Sequence, residues 1–210
     1  MGIIQARFWR RIYLGISLSL GIISPLVCWY MIPDFNPITK PLSYFGVAEL
    51  TAWYWNASVI IVAFAIYLNA KKSLPRYFKK TGNLNVLHIL LSISFVALCL
   101  TAIVSMDNSL LHRISAYTFF LTYNLFVFCF GLFRSSKYVR KGIFSMIIGS
   151  LMLLCSLLLL PFPSYGVFEI VYFLLLLFWN GTLFYKRVKT EDRSMNKKLV
   201  EAKTTSSAIS

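Results

Sequence analysis

Two groups of residues have side chains that could do chemistry. The first gathers Glu49, Trp53, Asn56, Asp107, His112, Arg113 and Glu169. Carboxylates beside a histidine could bind a divalent cation, act as a general acid–base pair, or hold a lipid headgroup. Read as helix, Glu49, Trp53, Asn56 and Ile60 fall on one stripe. A plainer reading competes with the functional one. Glu49 and Glu169 would be first-turn acids that complement a helix dipole, and Asp107, Asn108 and Ser109 are N-cap candidates. One histidine falls short of a zinc triad, so no metal site and no cofactor is expected. No G-x-S-x-G nucleophile elbow occurs either.

The second group is Asn85, His88, Asn124 and Asn180. These polar side chains sit inside apolar runs, where they serve either interhelical hydrogen bonding or a proton or substrate path. Asn85, His88 and Ser92 share a helical face, as do Glu169, Tyr172 or Phe173, Leu176 and Asn180. Gly142, Ser145, Gly149 and Ser156 form a small-residue face suited to close helix packing. The four cysteines all lie in apolar runs without a CxxC pair, and read as small hydrophobes.

The elements that must position these groups are transmembrane helices. The 210 residues are 58% apolar and only 13% charged, against about 25% charged in soluble domains. Six runs are long enough to cross about 30 Å of hydrocarbon at 1.5 Å per residue: residues 12–32, 50–70, 84–105, 114–133, 142–160 and 167–185. The first is longer than a signal-peptide core and no A-x-A site follows, so it reads as an uncleaved helix. The result is an all-α, six-helix transmembrane domain over residues 1–190, with a polar tail at 191–210 expected to be disordered.

Charge tests this topology. Nineteen of the 21 Lys and Arg residues fall in the N-terminal arm, the second and fourth connections and the tail, leaving Lys40 and Arg113 on the other side. The positive-inside rule then predicts cytoplasmic N- and C-termini. The net charge of +14 would suit a nucleic-acid binder if the cations formed one patch, but they are split between apolar runs, so no nucleic acid is expected. The Asn56-Ala-Ser58 and Asn180-Gly-Thr182 triplets fall inside predicted spans and are not glycosylation sites. The longest connection on the expected outer side, Pro33–Glu49, carries Pro33, Pro37, Pro41 and Gly46, and reads as an ordered, turn-rich cap or re-entrant segment.

The segment Asn36-Pro37-Ile-Thr-Lys-Pro-Leu-Ser43-Tyr44-Phe45-Gly46, followed by Glu49, Trp53 and Asn56, resembles a prokaryotic membrane family. That family is known only as domain of unknown function nine hundred and ninety-eight. A second stretch, His112-Arg-Ile-Ser-Ala116-Tyr-Thr-Phe119-Phe120 with Gly131 beyond it, resembles the family's later helix. The chain departs from the family pattern at Phe45, where Leu is commoner, and at Val104-Ser105, where a histidine often stands. The resemblance implies a bacterial inner-membrane location. The family is similar, more distantly, to six-helix eukaryotic proteins of the autophagy-modulator and GPI-lipid-remodelling group, which implies lipid-related work.

The expected function is recognition of a lipid headgroup or similar amphiphile in a pocket at the extracytoplasmic ends of helices 2, 3, 4 and 6. Trp53 and Tyr54 would supply apolar surface, Arg113 would pair with an anion, and Glu49, Asp107 and His112 would orient polar groups. The alternatives are an intramembrane lipid hydrolase or transferase using His112 with Asp107 or Glu169, a small-solute transporter, and an accessory subunit of a membrane complex. The expected partners are membrane lipids; a protein partner and the oligomeric state stay open.

Overall fold

A computed structural model describes residues 3–78, 81–104, 109–136, 138–162 and 166–182. The tail at 191–210 and Asp107 lie outside the described residues. Six helices account for most of the rest: α1 (Ile3–Met31), α2 (Ala52–Ser73), α3 (Thr81–Ile103), α4 (Ser109–Ser135), α5 (Val139–Leu159) and α6 (Gly166–Thr182). No strand occurs among the described residues. Helices α1 to α5 are each long and apolar enough to span a bilayer, and α6 is apolar over its shorter described length. The protein is an all-α, multi-pass membrane protein.

The helices are apolar on faces that no neighbour covers. On α3, Ile89, Ile93, Val96, Leu100 and Ile103 are exposed at helical spacing. Leu87, Leu91, Ser94 and Ala97 of the same helix are buried. A soluble helix would carry charge on the outer stripe; one that is apolar all round faces lipid.

Sequence neighbours pack together from α1 to α5, and α6 closes the bundle. Leu177 of α6 lies where a Cβ on Gly21 of α1 would point, and Gly181 faces Leu18 in the same way. On its other side α6 packs its aromatic and polar residues against α4 and α5. Trp179, fully buried, stands edge-on to Phe126 and Phe130 of α4 and donates its indole N–H to Ser145 Oγ of α5 at 3.1 Å. Asn180 donates to Tyr123 Oη at 2.7 Å and to its own Leu176 carbonyl at 2.8 Å. Asn124 of α4 donates to Ser156 Oγ of α5 at 2.9 Å.

The contact between α4 and α5 is the tightest seam. Without a hydrophobic force between helices in lipid, association relies on close packing, which small residues permit. A Cβ on Gly131 would lie 2.8 Å from the Gly142 carbonyl oxygen and from Met146 N. One on Gly142 would run into the Ser135 backbone, and one on Gly149 would sit 3.1 Å from Phe128 N.

The four polar residues of the second group do not form one network. Asn124 faces α5 and Asn180 faces α4. Asn85 is exposed, His88 is half-buried, and no hydrogen bond among the described residues joins either to the two other asparagines. Helical spacing tells which residues of one helix share a face, not which helix that face meets.

Gly131→Ala and Gly142→Ala are each expected to destabilise the protein by about 1–3 kcal/mol through overpacking. Gly15→Ala, where nothing stands within 4 Å, should leave stability unchanged or raise it. Thermal unfolding of the three variants in detergent checks this, and equal melting temperatures would disprove the close seam.

Candidate functional site

The connection between α1 and α2 folds into a cap with its own small core. Phe45, fully buried, packs against Phe35 at 4.3 Å and Trp55 at 5.3 Å between ring centroids, with Cys28 and Leu42 around them. Asn36 starts the cap by accepting the Ile38 N–H on its side-chain oxygen at 2.9 Å, a local turn typical of Asn. After Pro41 the chain winds into a 3₁₀-helix at Leu42–Gly46. Thr51 Oγ1 donates to the Phe45 carbonyl at 2.8 Å and Asn56 Nδ2 to the Gly46 carbonyl at 3.1 Å, tying this turn to the start of α2. Gly46 has to be small: a Cβ there would lie 2.6 Å from Asn56 Oδ1.

The same segment interlocks with α6. The first N–H groups of any helix lack partners within it. Here the Leu42 N–H donates to Glu169 Oε2 at 2.6 Å, and the Ser43 N–H also bonds that carboxyl group. In return Val167, in the first turn of α6, donates its N–H to the Pro37 carbonyl at 3.1 Å. Gly166 lets the two strands of chain touch, since a Cβ there would strike the Lys40 carbonyl oxygen and Pro41 Cα. Glu169 is thus a capping acid, but for a helix 127 residues away in sequence.

Beneath this cap lies a pocket of about 140 Å³. Its polar lining includes Ser43, Asn56, Thr101, His112 and Glu169; its apolar lining includes Val62, Ile66, Leu98, Phe119, Phe120 and Leu176. Residues from α1 also line it: Leu20, Gly21, Ser24 and Pro25. His112 is buried, and its Nδ1 lies 2.9 Å from the Val104 carbonyl oxygen. A carbonyl only accepts, so Nδ1 carries the proton and a neutral ring keeps the Nε2 lone pair as an acceptor.

Of the first group, the pocket therefore brings together Asn56, His112 and Glu169. Glu49, Trp53 and Arg113 do not line it. Trp53 is 77% exposed, and Glu49 and Arg113 are exposed too. Two local geometries explain this. Helix α2 begins at Ala52, so Glu49 precedes it and the helical stripe drawn through it does not exist. Residues adjacent on a helix point about 100° apart, so burying His112 turns Arg113 outward. The other expected outer cation, Lys40, sits over the Tyr44 ring at 4.5 Å. Among the described residues neither Lys nor Arg lines it.

Sequence reasoning missed Trp55 and the α1 wall. The signal for α1 was Pro25 inside an otherwise regular apolar helix, with Ser24 beside it and Gly21 four residues before it. Proline mid-helix removes one backbone bond, and membrane helices tolerate this where the freed groups find other partners. Among the described residues no three His, Cys, Asp or Glu side chains stand close enough to hold a metal ion.

Glu169→Ala would leave the buried Leu42 N–H without its acceptor. Amide hydrogen exchange at Leu42 and Ser43 is expected to accelerate tenfold or more, since a bond to a charged group contributes about 1.5–3 kcal/mol. Glu169→Gln, which keeps one acceptor oxygen, should fall between; unchanged exchange in Glu169→Ala would show that the carboxylate does not hold the cap.

Comparison with known proteins returned no match among curated proteins and none among solved structures. A family model does match, over residues 15–185, from within α1 through the cap to α6. The chain belongs to the family described as protein of unknown function (DUF998).

Proposed function

We propose that this protein binds an amphiphile in the capped pocket, at the extracytoplasmic side of a bacterial inner membrane. The observation that carries the reading is the pocket itself: an apolar space walled by five membrane helices, with hydrogen-bonding side chains at the cap. Ligand sites are commonly concave and mostly apolar, with a few placed polar groups. At about 140 Å³ it is close to a buried cavity of roughly 150 Å³ that takes one benzene. It therefore suits a headgroup or a short stretch of chain, with the rest of the molecule in the bilayer. Support for this orientation comes from the asymmetry of Lys and Arg between the two sides.

A second reading, a lipid hydrolase or transferase, is favoured by one observation. His112 and Glu169 line the same pocket, and the Val104 bond orients the imidazole. Glu169 already accepts two backbone N–H groups, so His112 would act as the base.

Native mass spectrometry of the full chain released from lipid nanodiscs tests the first reading. The wild type should carry an adduct of lipid mass. Ala116→Phe, which places a ring in the pocket, should lose it. Arg113→Ala and Glu49→Ala, at exposed positions outside the lining, should keep it. An adduct that survives Ala116→Phe, or none in any variant, would sink the proposal. Turnover of a lipid extract that disappears in His112→Ala would instead establish the enzyme.

A further inference from the structure

The polar end of the pocket is rich in acceptors. The Leu42 and Ser43 N–H groups are spent on Glu169, and one Asn56 Nδ2 proton is spent on the Gly46 carbonyl. The Thr101 hydroxyl donates to the Ala97 carbonyl at 2.9 Å, and the Val104 carbonyl holds the His112 Nδ1–H. What Asn56, His112 and Glu169 keep for a ligand is lone pairs: Asn56 Oδ1, His112 Nε2, and the rest of the Glu169 carboxyl group. An ionised carboxyl group has about four acceptor positions, and the cap fills two of them. None of these three acceptors belongs to the buried, unpaired atoms of the bundle. Ser24 Oγ and Tyr172 Oη do, so these two hydroxyls are closed to a ligand although their residues line the pocket.

The cap holds two of the acceptors over one space. Glu169 takes the first N–H groups of the 3₁₀-helix Leu42–Gly46, and Asn56 takes its last carbonyl. At 2.0 Å per residue that element is about 8 Å long, and both side chains line the pocket.

Charge selects the ligand class. Among the described residues Glu169 is the one acid of the lining, and neither Lys nor Arg lines the pocket. The groups that meet its carboxyl are backbone N–H groups and not a cation. A carboxylate in an apolar site without a counter-charge is costly. An anionic head would be repelled there, and an uncharged head would leave the charge unanswered. A quaternary ammonium has no N–H to give to the free lone pairs. A primary ammonium brings positive charge and three donors together. One turn further along α6, Tyr172 packs against Phe120 at 4.7 Å between ring centroids, and both line the pocket; aromatic faces also attract an ammonium.

We infer that the ligand is an amphiphile with a primary ammonium head, carried by a long-chain amine or by an aminolipid, and that Glu169 is its counter-ion. This inference rests on the reading of the pocket as an amphiphile site and names the chemistry of the head.

The test uses the full chain in phosphatidylcholine nanodiscs at neutral pH with four photoactivatable probes. These are hexadecylamine, hexadecyltrimethylammonium, hexadecanol and hexadecyl phosphate, each with a diazirine at the same chain carbon. Crosslinks are mapped by peptide mass spectrometry and scaled to the exposed α3 stripe at Ile89–Ile103, which measures bulk lipid labelling. Hexadecylamine should label pocket residues such as Phe119 and Leu176 at least about tenfold more than any other probe, the gain expected of a charge-assisted bond. Glu169→Gln, which keeps the size and one acceptor oxygen for the cap, should bring hexadecylamine down to the level of hexadecanol. Hexadecanol labelling should hold in that variant; where it falls as well, the cap has been lost and the wild-type ranking of the probes decides. Unlabelled phosphatidylethanolamine in the nanodisc should displace the probe if an aminolipid is the source, and unlabelled octadecylamine alone should do so if a free amine is. Pocket labelling by any other probe equal to that by hexadecylamine would overturn the inference, as would an undiminished preference for hexadecylamine in Glu169→Gln. Labelling by hexadecanol without that preference sinks the ammonium head and leaves the amphiphile reading standing. If no probe labels the pocket above the α3 stripe, both fail.

Discussion

The structure depends on an exchange of hydrogen bonds between α6 and the cap. The Glu169 carboxyl group serves the orphan N–H groups of the 3₁₀-helix, while the Pro37 carbonyl serves Val167 in the first turn of α6. Helix ends buried without partners are costly, and here two such ends solve the problem for each other. The consequence is topological. The last helix is bound to the segment that follows the first, so the cap roofs the pocket and α6 closes the bundle through one set of contacts. Gly166 and Gly46 are the steric conditions for it, because a side-chain carbon at either would push the cap away from α6 or α2.

Below the cap, different forces hold the helices. Lipid removes the hydrophobic drive between them, and what remains is van der Waals contact and the pairing of polar groups. The two are partly segregated in this bundle. The seam between α4 and α5 is built on glycines that bring backbones together. The contact of α6 with α4 and α5 is built on Trp179, Tyr123, Asn180 and Ser145, whose bonds fix its rotation. That rotation in turn presents Tyr172 and Glu169 to the pocket and leaves Leu174 and Phe178 facing outward.

The membrane architecture was legible because it follows from one-dimensional quantities. Length of apolar run does not depend on how helices pack, and the six expected runs correspond to the six helices. The small-residue face of α5 was legible for a similar reason, since Gly142, Ser145 and Gly149 at helical spacing have few other uses. The site was only partly legible. Asn56, His112 and Glu169 were singled out as polar groups near helix ends, and they do line the pocket. Glu49 was grouped with them through a helix start placed two residues early, Trp53 through its spacing from Asn56 on α2, and Arg113 through adjacency to His112. Charge and aromaticity near a helix end mark the interface as readily as a site, and nothing in the residue types separates the two.

Ser24 and Tyr172 carried no such mark, and this follows from how they differ from their neighbours. The chain holds other serines and tyrosines in its apolar runs, and several of them close a bond within their own helix or to a facing one. What sets these two apart is a bond not made, which is a property of the assembled bundle and not of the residue. A buried hydroxyl left unpaired costs about 1–3 kcal/mol, and Ser24 could have turned to a carbonyl of its own helix as Ser17 does two turns away from it along α1. Unpaired buried polarity is spread through the bundle, since the side-chain oxygens of Asn124 and Asn180 also lack a partner.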